Sequence, residues 1–176
     1  MTRSAMRVRL RDVTLADADM LDAWADPALV SEFNSFGHEP TPTPRDTLRH
    51  GPLRNERNGT LIVELADGTP IGTVSWHRVS YGPPPDSDAW NIGIELLPSA
   101  RRKGYGTEAQ RLAADYLFET TSLHRVEAST DIDNLAEQRS LEKAGFTREG
   151  VNRRAQFRAG AYHDLVMYAR LREDPG

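Results

Sequence analysis

The chain of 176 residues contains no cysteine. This absence excludes disulfide bonds, thiolate metal sites and a cysteine nucleophile, and it is compatible with a cytosolic location. No apolar run approaches the roughly 20 residues that a helix needs to cross a bilayer. The first residues include basic side chains but no apolar stretch behind them, so we expect no signal peptide.

The chain also has no excess of basic over acidic residues. The chain has 22 Lys and Arg residues against 26 Asp and Glu residues, a net charge of −4, which argues against a broad nucleic-acid surface and favours a neutral or cationic substrate. The histidines and acidic residues show no metal-ligand spacing, so we predict no metal. Apolar residues make up 38% and charged residues 27%, which is typical of a soluble globular protein. We expect one domain over residues 1–176, with flexible tails at 1–6 and 172–176.

The most informative stretch is the basic, glycine-broken turn Arg101-Arg102-Lys103-Gly104-Tyr105-Gly106. A short apolar strand at residues 91–97 precedes it, and the apolar spacing of residues 107–118 predicts a helix after it. The first turn of a helix has unpaired N–H groups and the positive end of the helix dipole, and glycine lets an anion approach the backbone. The turn therefore indicates a phosphate site, with a basic surface turn as the alternative. The usual ATP and NAD loops do not fit.

Hydrophobic periodicity predicts the other elements. Alternation predicts strands at residues 7–13, 61–65, 71–79 and 124–130, and two more strands around the turn Ala159-Gly160-Ala161. Helical spacing predicts helices at residues 15–25, from Pro44 toward Arg57, and at residues 134–144; residues 28–36 form a weak second helix or a loop. Thr14 and Asp17 resemble a capping box at the first helix. The predicted order is β-α-α-β-β-β-α-β-α-β-β.

This order, the R-x-x-G-x-G at residues 101–106, and Asn134 followed by Leu141-Glu142-Lys143-Ala144-Gly145-Phe146 resemble the GNAT superfamily of N-acetyltransferases. Finer features are similar to its RimJ/RimL-like branch: Gly106-Thr107-Glu108-Ala109, the Glu149-Gly150 pair, and the closing residues 162–171. The resemblance spans nearly the whole chain. It implies an α/β (α+β) fold with a mixed, mostly antiparallel sheet and helices on both faces. It also implies acetyl-CoA as co-substrate.

The resemblance assigns residues to the co-substrate by position. Arg102, Lys103, Gly104, Tyr105, Gly106 and Thr107 would surround the CoA diphosphate, with Arg101 beside them. The backbone of Ile94, Glu95 and Leu96 on the central strand would pair with the pantetheine arm. The neighbouring parallel strand would diverge from it and leave the cleft for the thioester. Asn134 would hydrogen-bond the co-substrate, although asparagine is also an ordinary helix N-cap.

The implied chemistry is direct acyl transfer from the thioester to an amine. A base must take a proton from the amine, and an N–H of a bulged central strand would stabilise the oxyanion. Glu95 is the candidate base, acting through a water; the alternative is a strand carboxylate on the wet face. His77, Tyr162 and His163 are weaker candidates.

The two proton-donor positions familiar from the family are changed in this chain. Glu137 stands where the branch often has serine, and Leu141 stands where other members have tyrosine. Glu137 is an acid candidate if burial raises its pKa, and otherwise a solvent-facing glutamate that reaches back to the helix cap.

Two functions remain open. One is an N-acyltransferase that uses acetyl-CoA; the other is a catalytically weak module that binds acyl-CoA as a sensor or partner. The acceptor can be a protein N-terminus, an amino acid, a polyamine or an aminoglycoside-like amine, and the acyl group can be larger than acetyl. Residues 28–50 and 81–88 are expected to border the acceptor cleft. Analogy with the branch suggests a homodimer.

Overall fold

The computed structural model describes residues 6–36 and 43–174. Within these ranges seven strands form one sheet, whose order is β1-β2-β3-β4-β5-β7-β6. The strands are β1 (Val8–Asp12), β2 (Asn58–Leu65), β3 (Pro70–Ser80), β4 (Asp88–Leu96), β5 (Arg125–Asp131), β6 (Thr147–Arg158) and β7 (Ala161–Leu171). The helices are α1 (Ala18–Trp24), α2 (Pro44–Leu48), α3 (Tyr105–Thr120) and α4 (Leu135–Lys143).

The sheet is mixed, as the sequence predicts. Neighbouring strands pair antiparallel except β4 and β5, which are parallel. A parallel pair needs a crossover connection, and α3 provides it between these two strands. The central pair therefore has a helix beginning at the carboxyl end of β4, where the basic turn lies.

Helices cover both faces of the sheet. On one face, the Ala113 and Leu117 side of α3 and Leu141 of α4 pack against strand residues such as Val74 and Val126 in a large core. On the other face, Ala18, Leu21 and Trp24 of α1 pack with Leu48 of α2 around Ile62. Alternate residues of β2 serve the two cores, because successive side chains of a strand point to opposite faces.

One predicted helix is shorter in the structure, and the alternative of a loop at residues 28–36 is the one observed. The helix predicted toward Arg57 ends at Leu48, ahead of Gly51 and Pro52, because proline lacks the N–H that helix continuation needs. Residues 28–36 form turns and no helix. The helix predicted at residues 15–25 begins as a 3-10 turn at Leu15, and its capping box of Thr14 and Asp17 is present as predicted.

The chain after β7 is more ordered than the predicted tail. The guanidinium of Arg172 donates to the carbonyls of Phe118, Thr121 and Leu123. The backbone N–H of Leu171 donates to the Asp174 carboxylate at 2.8 Å. Arg172 thus ties this segment to the end of α3 and to the residues that follow it, and the Asp174 bond forms a turn within the segment. The remaining predicted tail positions, 1–5 and 175–176, lie outside the described residues.

Candidate active site

A cleft opens where β4 and β5 separate. Their parallel ladder runs only from Trp90↔Val126 to Ile92↔Ala128, although β4 continues to Leu96 and β5 to Asp131. The predicted divergence of the two strands is therefore confirmed.

The divergence leaves backbone donors of β4 without a strand partner. The Leu97 N–H donates to the Ile71 carbonyl at 2.9 Å, so the odd-numbered positions of β4 bond to β3. The backbone N–H groups of Ile94 and Leu96 consequently point toward β5, beyond the end of its ladder. We expected a bulge in β4. This expectation is wrong, because the β3–β4 register is unbroken and the bulge lies in β2 at Val63/Glu64.

The start of α3 provides a second set of free donors at the same end of the cleft. The first helical bond runs from the Glu108 N–H to the Gly104 carbonyl at 3.3 Å, so the N–H groups of Tyr105, Gly106 and Thr107 lack a helical acceptor. Gly104 caps the helix with φ +80°, a left-handed conformation that glycine adopts without strain. Free N–H donors therefore lie at the turn where the sequence predicts an anion site.

The cleft has a volume of about 530 Å³, and most of the predicted site residues line it. Those that do are Ile94, Glu95, Leu96, Arg101, Arg102, Gly104, Gly106, Thr107, Asn134 and Glu137. Lys103 and Tyr105 do not. The Lys103 carbonyl accepts from the Arg7 guanidinium at 3.0 Å, and the same guanidinium lies 5.3 Å from the centre of the Tyr105 ring.

The lining of the cleft contains charged side chains of both signs. Three exposed cations, Arg102, Arg139 and Lys143, belong to the lining, on the α3 turn and on α4. Three carboxylates also line it: Glu32, Glu95 and Glu137. The guanidinium of Arg101 binds other groups of the protein: it donates to the Leu96 and Leu29 carbonyls and to the Glu95 carboxylate. It therefore holds protein groups together at the edge of the cleft, and its assignment to the co-substrate stays a prediction.

Glu95 lies on β4 and joins it to residues 29–34, which we name the strap. Its carboxylate accepts from the Ser31 N–H at 3.3 Å, from the Asn34 side-chain amide at 2.6 Å and from Arg101 at 2.9 Å. The strap residues Ser31 to Asn34 also line the cleft. These four residues belong to the segment 28–50 that we expect to border the acceptor. Residues 81–88 are not part of the lining, and Tyr81 instead donates to the buried Glu127 at 2.7 Å.

Glu137 differs from the solvent-facing alternative. Its carboxylate accepts a hydrogen bond from the Gln110 side chain of α3 and, among the described residues, none from the helix cap. Burial raises the pKa of Glu137 to about 7, the Gln110 bond opposes this shift, and the negative charge of Glu95 adds to it. The cleft therefore holds two carboxyl groups in different environments, one ion-paired and one half-buried and able to carry a proton near neutral pH.

Asn134 caps α4 and lies in the lining of the cleft. Its side-chain oxygen accepts from the Glu137 N–H at 3.3 Å, and its amide donates to the Thr130 hydroxyl at 3.0 Å. Gln110, which sequence reasoning missed, joins this group by accepting from the Ser140 hydroxyl at 3.0 Å. The feature of the sequence that could have indicated Gln110 is a polar residue on the core side of the predicted helix.

The weaker candidates lie elsewhere. His77 is exposed on β3, Tyr162 stacks edge-on against Phe157, and His163 contacts Asp131 at 3.0 Å. Across residues 6–36 and 43–174, no group of three or more potential His, Cys, Asp or Glu ligands could hold a metal ion. No helix within these ranges is long and apolar enough to cross a membrane.

Comparison with known proteins identifies the class. The family model described as "Acetyltransferase (GNAT) domain" matches residues 7–147. The probable N-acetyltransferase YjcK of Bacillus subtilis is 38% identical over 113 residues, which are 64% of this chain and 61% of that protein. An uncharacterized N-acetyltransferase, p20 of Bacillus licheniformis, is 26% identical over 96% of this chain and 94% of its own length.

The fold has solved counterparts as well. RimL, a ribosomal L7/L12 α-N-protein acetyltransferase in complex with coenzyme A, matches with a TM-score of 0.72 and 18% identity over 96% of each chain. An identity this low supports the fold alone. The chain belongs to the GNAT family of acetyl-CoA-dependent N-acetyltransferases.

The residues present fit acetyl-CoA. The N–H groups at the start of α3 and the neighbouring cations suit a diphosphate, and the N–H groups of Ile94 and Leu96 suit carbonyl oxygens. A Cβ built at Gly106 would stand 3.6 Å from Leu96 Cδ1 and 3.6 Å from the Ser140 hydroxyl. The missing side chain at this position therefore keeps the wall of the cleft open between β4 and α4.

Proposed function

We propose that this protein transfers an acetyl group from acetyl-CoA to a primary amine by direct attack of the amine on the thioester. The observation that carries the proposal is the end of the β4–β5 ladder at Ile92↔Ala128. Beyond it, unpaired N–H groups of β4 face the cleft that also contains Glu95, Glu137 and the start of α3. Acetyl-CoA supplies the activated acyl group, and every other requirement falls to side chains and backbone of this chain.

Binding and orientation come from the backbone. The N–H groups of residues 105–107, with Arg102 beside them, would hold the diphosphate, and Asn134 would bind the pantetheine arm. The N–H groups of Ile94 and Leu96 are the donors available to a pantetheine carbonyl and to the thioester oxygen. A donor fixed in advance at the point where negative charge develops lowers the barrier without reorganisation.

Two carboxyl groups would divide the proton transfers. The attacking amine must lose a proton, and we assign its removal to Glu95 through a water. A carboxylate has about four acceptor sites, and Glu95 fills three of them with Ser31, Asn34 and Arg101. As the C–N bond forms and the C–S bond breaks, Glu137 would give its proton to the leaving thiolate.

Thiol release from acetyl-CoA, followed with a disulfide reagent, tests the activity against amines of several classes. The panel contains N-terminal peptides, amino acids, polyamines and aminoglycosides, and the absence of cysteine keeps the protein's own signal low. We expect release that depends on an acceptor and that falls in Glu95→Gln and Glu137→Gln. The control is Glu142→Gln on α4, whose carboxylate contacts Tyr168 outside the cleft.

Binding of CoA without turnover of any amine would instead favour the acyl-CoA-binding module. The carboxylates of Glu32 and Glu95 in the lining support a cationic acceptor over an acidic one. A single domain, a cytosolic location, a homodimer and membership of the RimJ/RimL-like branch remain proposals. Light scattering on the purified chain tests the homodimer.

A further inference from the structure

The strap lines the cleft and is held at two places, by β4 with the turn after it and by the end of β6. On the β4 side, Glu95 binds Ser31 and Asn34, and Arg101 binds the Leu29 carbonyl. On the far side, Arg158 at the end of β6 donates to the Phe33 carbonyl at 3.4 Å. Its guanidinium carbon also lies 5.6 Å from the centre of the Phe33 ring. A segment 125 residues away in sequence thus supplies the second anchor.

Arg158 is in turn fixed by the last residue of β5. Its guanidinium contacts the Asp131 carboxylate at 2.5 Å, and the two side chains are only 5% and 2% exposed. Asp131 also accepts from the Asp133 N–H at 2.8 Å, which forms the turn before Asn134. Burial alone would raise the pKa of Asp131, but the bonds from Arg158 and the Asp133 N–H, with a further contribution from His163, outweigh it and lower the pKa.

The cost of this arrangement suggests a purpose beyond stability. Removing two charges from water costs several kcal/mol per ion, so a buried ion pair is weak evidence for stability by itself. Here the pair places a rigid, forked donor against a loop carbonyl and an aromatic ring. Arginine suits this task better than lysine, because its planar guanidinium can serve several partners in fixed directions.

We propose that Arg158 is a positioning residue for the acceptor: it holds the strap across the open side of the cleft. Phe33 and Glu32 then line the cleft in defined places. Loss of the Arg158 contact frees Glu32 and Phe33, while Glu95 and Arg101 still hold Leu29, Ser31 and Asn34 on either side of them. The site for acetyl-CoA at the start of α3 is unaffected, because none of its groups contacts Arg158. This inference rests on the proposed function.

Arg170 provides a matched control on the neighbouring strand. It is 6% exposed, against 5% for Arg158, it pairs with Asp115 at 2.9 Å, and its guanidinium lies 5.7 Å from the centre of the Phe118 ring. Like Arg158, Arg170 is buried, pairs with an aspartate and lies near a phenylalanine ring, but it does not contact the strap.

The variants are Arg158→Lys, which keeps a charge for Asp131, and Arg158→Met combined with Asp131→Asn, which leaves no unpaired buried charge. The control is Arg170→Lys.

Two measurements test the proposal. Hydrogen exchange of the strap amides in the full chain should be about tenfold faster in both Arg158 variants, the effect of losing one hydrogen bond from a charged donor. Arg170→Lys should leave it unchanged. In steady-state kinetics of Arg158→Lys with an amine that the wild type acetylates, KM for that amine should rise about tenfold while kcat and KM for acetyl-CoA stay unchanged.

Wild-type exchange rates in both Arg158 variants would overturn the proposal, and so would faster exchange with an unchanged KM for the amine. A wild-type protein that acetylates no amine would overturn the proposed function and the acceptor role together. The exchange measurement needs no acceptor, so even then it decides whether Arg158 holds the strap. The two failures are therefore distinguishable.

Discussion

The carboxyl group of Glu137 is partly withdrawn from water between α3 and α4. Burial raises its pKa to about 7, with Gln110 opposing the shift and Glu95 adding to it. If Glu137 gives its proton to the leaving thiolate, kcat should fall as pH rises through about 7. In Glu137→Gln this alkaline decline should be absent, and kcat should be about 100-fold lower, the usual contribution of general acid catalysis. The measurement is the pH profile of kcat at saturating substrates. An unchanged profile in the variant would remove Glu137 from the proton path.

The raised pKa of Glu137 also predicts that this residue lowers the stability of the folded protein at alkaline pH. The pKa of Glu137 is raised from 4.5 in the unfolded chain to about 7 in the folded protein. Its protonated form is therefore stabilised by folding, fully below pH 4.5, and this contribution is lost as pH rises to 7. At pH 8 the ionised carboxylate should cost about 2 kcal/mol, after allowance for its partial exposure. Glu137→Gln should then melt about 4–8 °C above the wild type at pH 8 and show little difference at pH 4.5. If the variant and the wild type melted at the same temperature at pH 8 as well as at pH 4.5, the assigned burial of Glu137 would be contradicted.

At the scale of elements, the two glycines at the start of α3 should respond in opposite directions. Gly104 has φ +80°, and a Cβ there would stand 2.9 Å from the Arg7 guanidinium, so Gly104→Ala should lose about 1–2 kcal/mol of folding free energy. Gly106 lies inside the helix with only ordinary contacts, so Gly106→Ala should gain about 0.5 kcal/mol. Both variants should weaken CoA binding, Gly106→Ala because its methyl group enters the cleft. Urea denaturation and calorimetry of CoA binding measure the two effects. If both glycine variants lost stability, the left-handed φ of Gly104 would not explain the difference between the two positions.

The sequence predicts the elements that local chemistry determines. Alternating residues mark the strands, Thr14 and Asp17 mark the capping box, and Gly104 and Gly106 mark the turn at α3. The sequence cannot show contacts that depend on distant segments. Arg101 reads as a phosphate ligand, yet it binds the strap because Leu29 and Glu95 lie within reach. Glu137 reads as a surface helix residue, and only Gln110 on another helix draws it into the cleft. Arg158 carries no sequence signal, since its partners Phe33 and Asp131 come from two other parts of the chain.

For the whole molecule, the uneven distribution of charge has a measurable consequence. The net charge is −4, yet Arg102, Arg139 and Lys143 line one cleft, and none of them forms an ion pair with another described residue. A local positive field on an acidic protein should bind the CoA phosphates by an interaction that salt screens. The Kd for CoA should therefore rise severalfold between about 0.05 and 0.5 M salt.

The double variant Arg102→Gln with Arg139→Gln should bind CoA more weakly at low salt and should show a shallower salt dependence. Pantetheine, which lacks the charged nucleotide, is the matched ligand, and its binding should not change with salt or in the double variant. The exposed pair Arg49→Gln with Arg57→Gln removes the same charge away from the cleft and should behave as the wild type. If that control weakened CoA binding as much as the cleft variant, the attraction would come from net charge, and the α3 turn would not be a specific phosphate site.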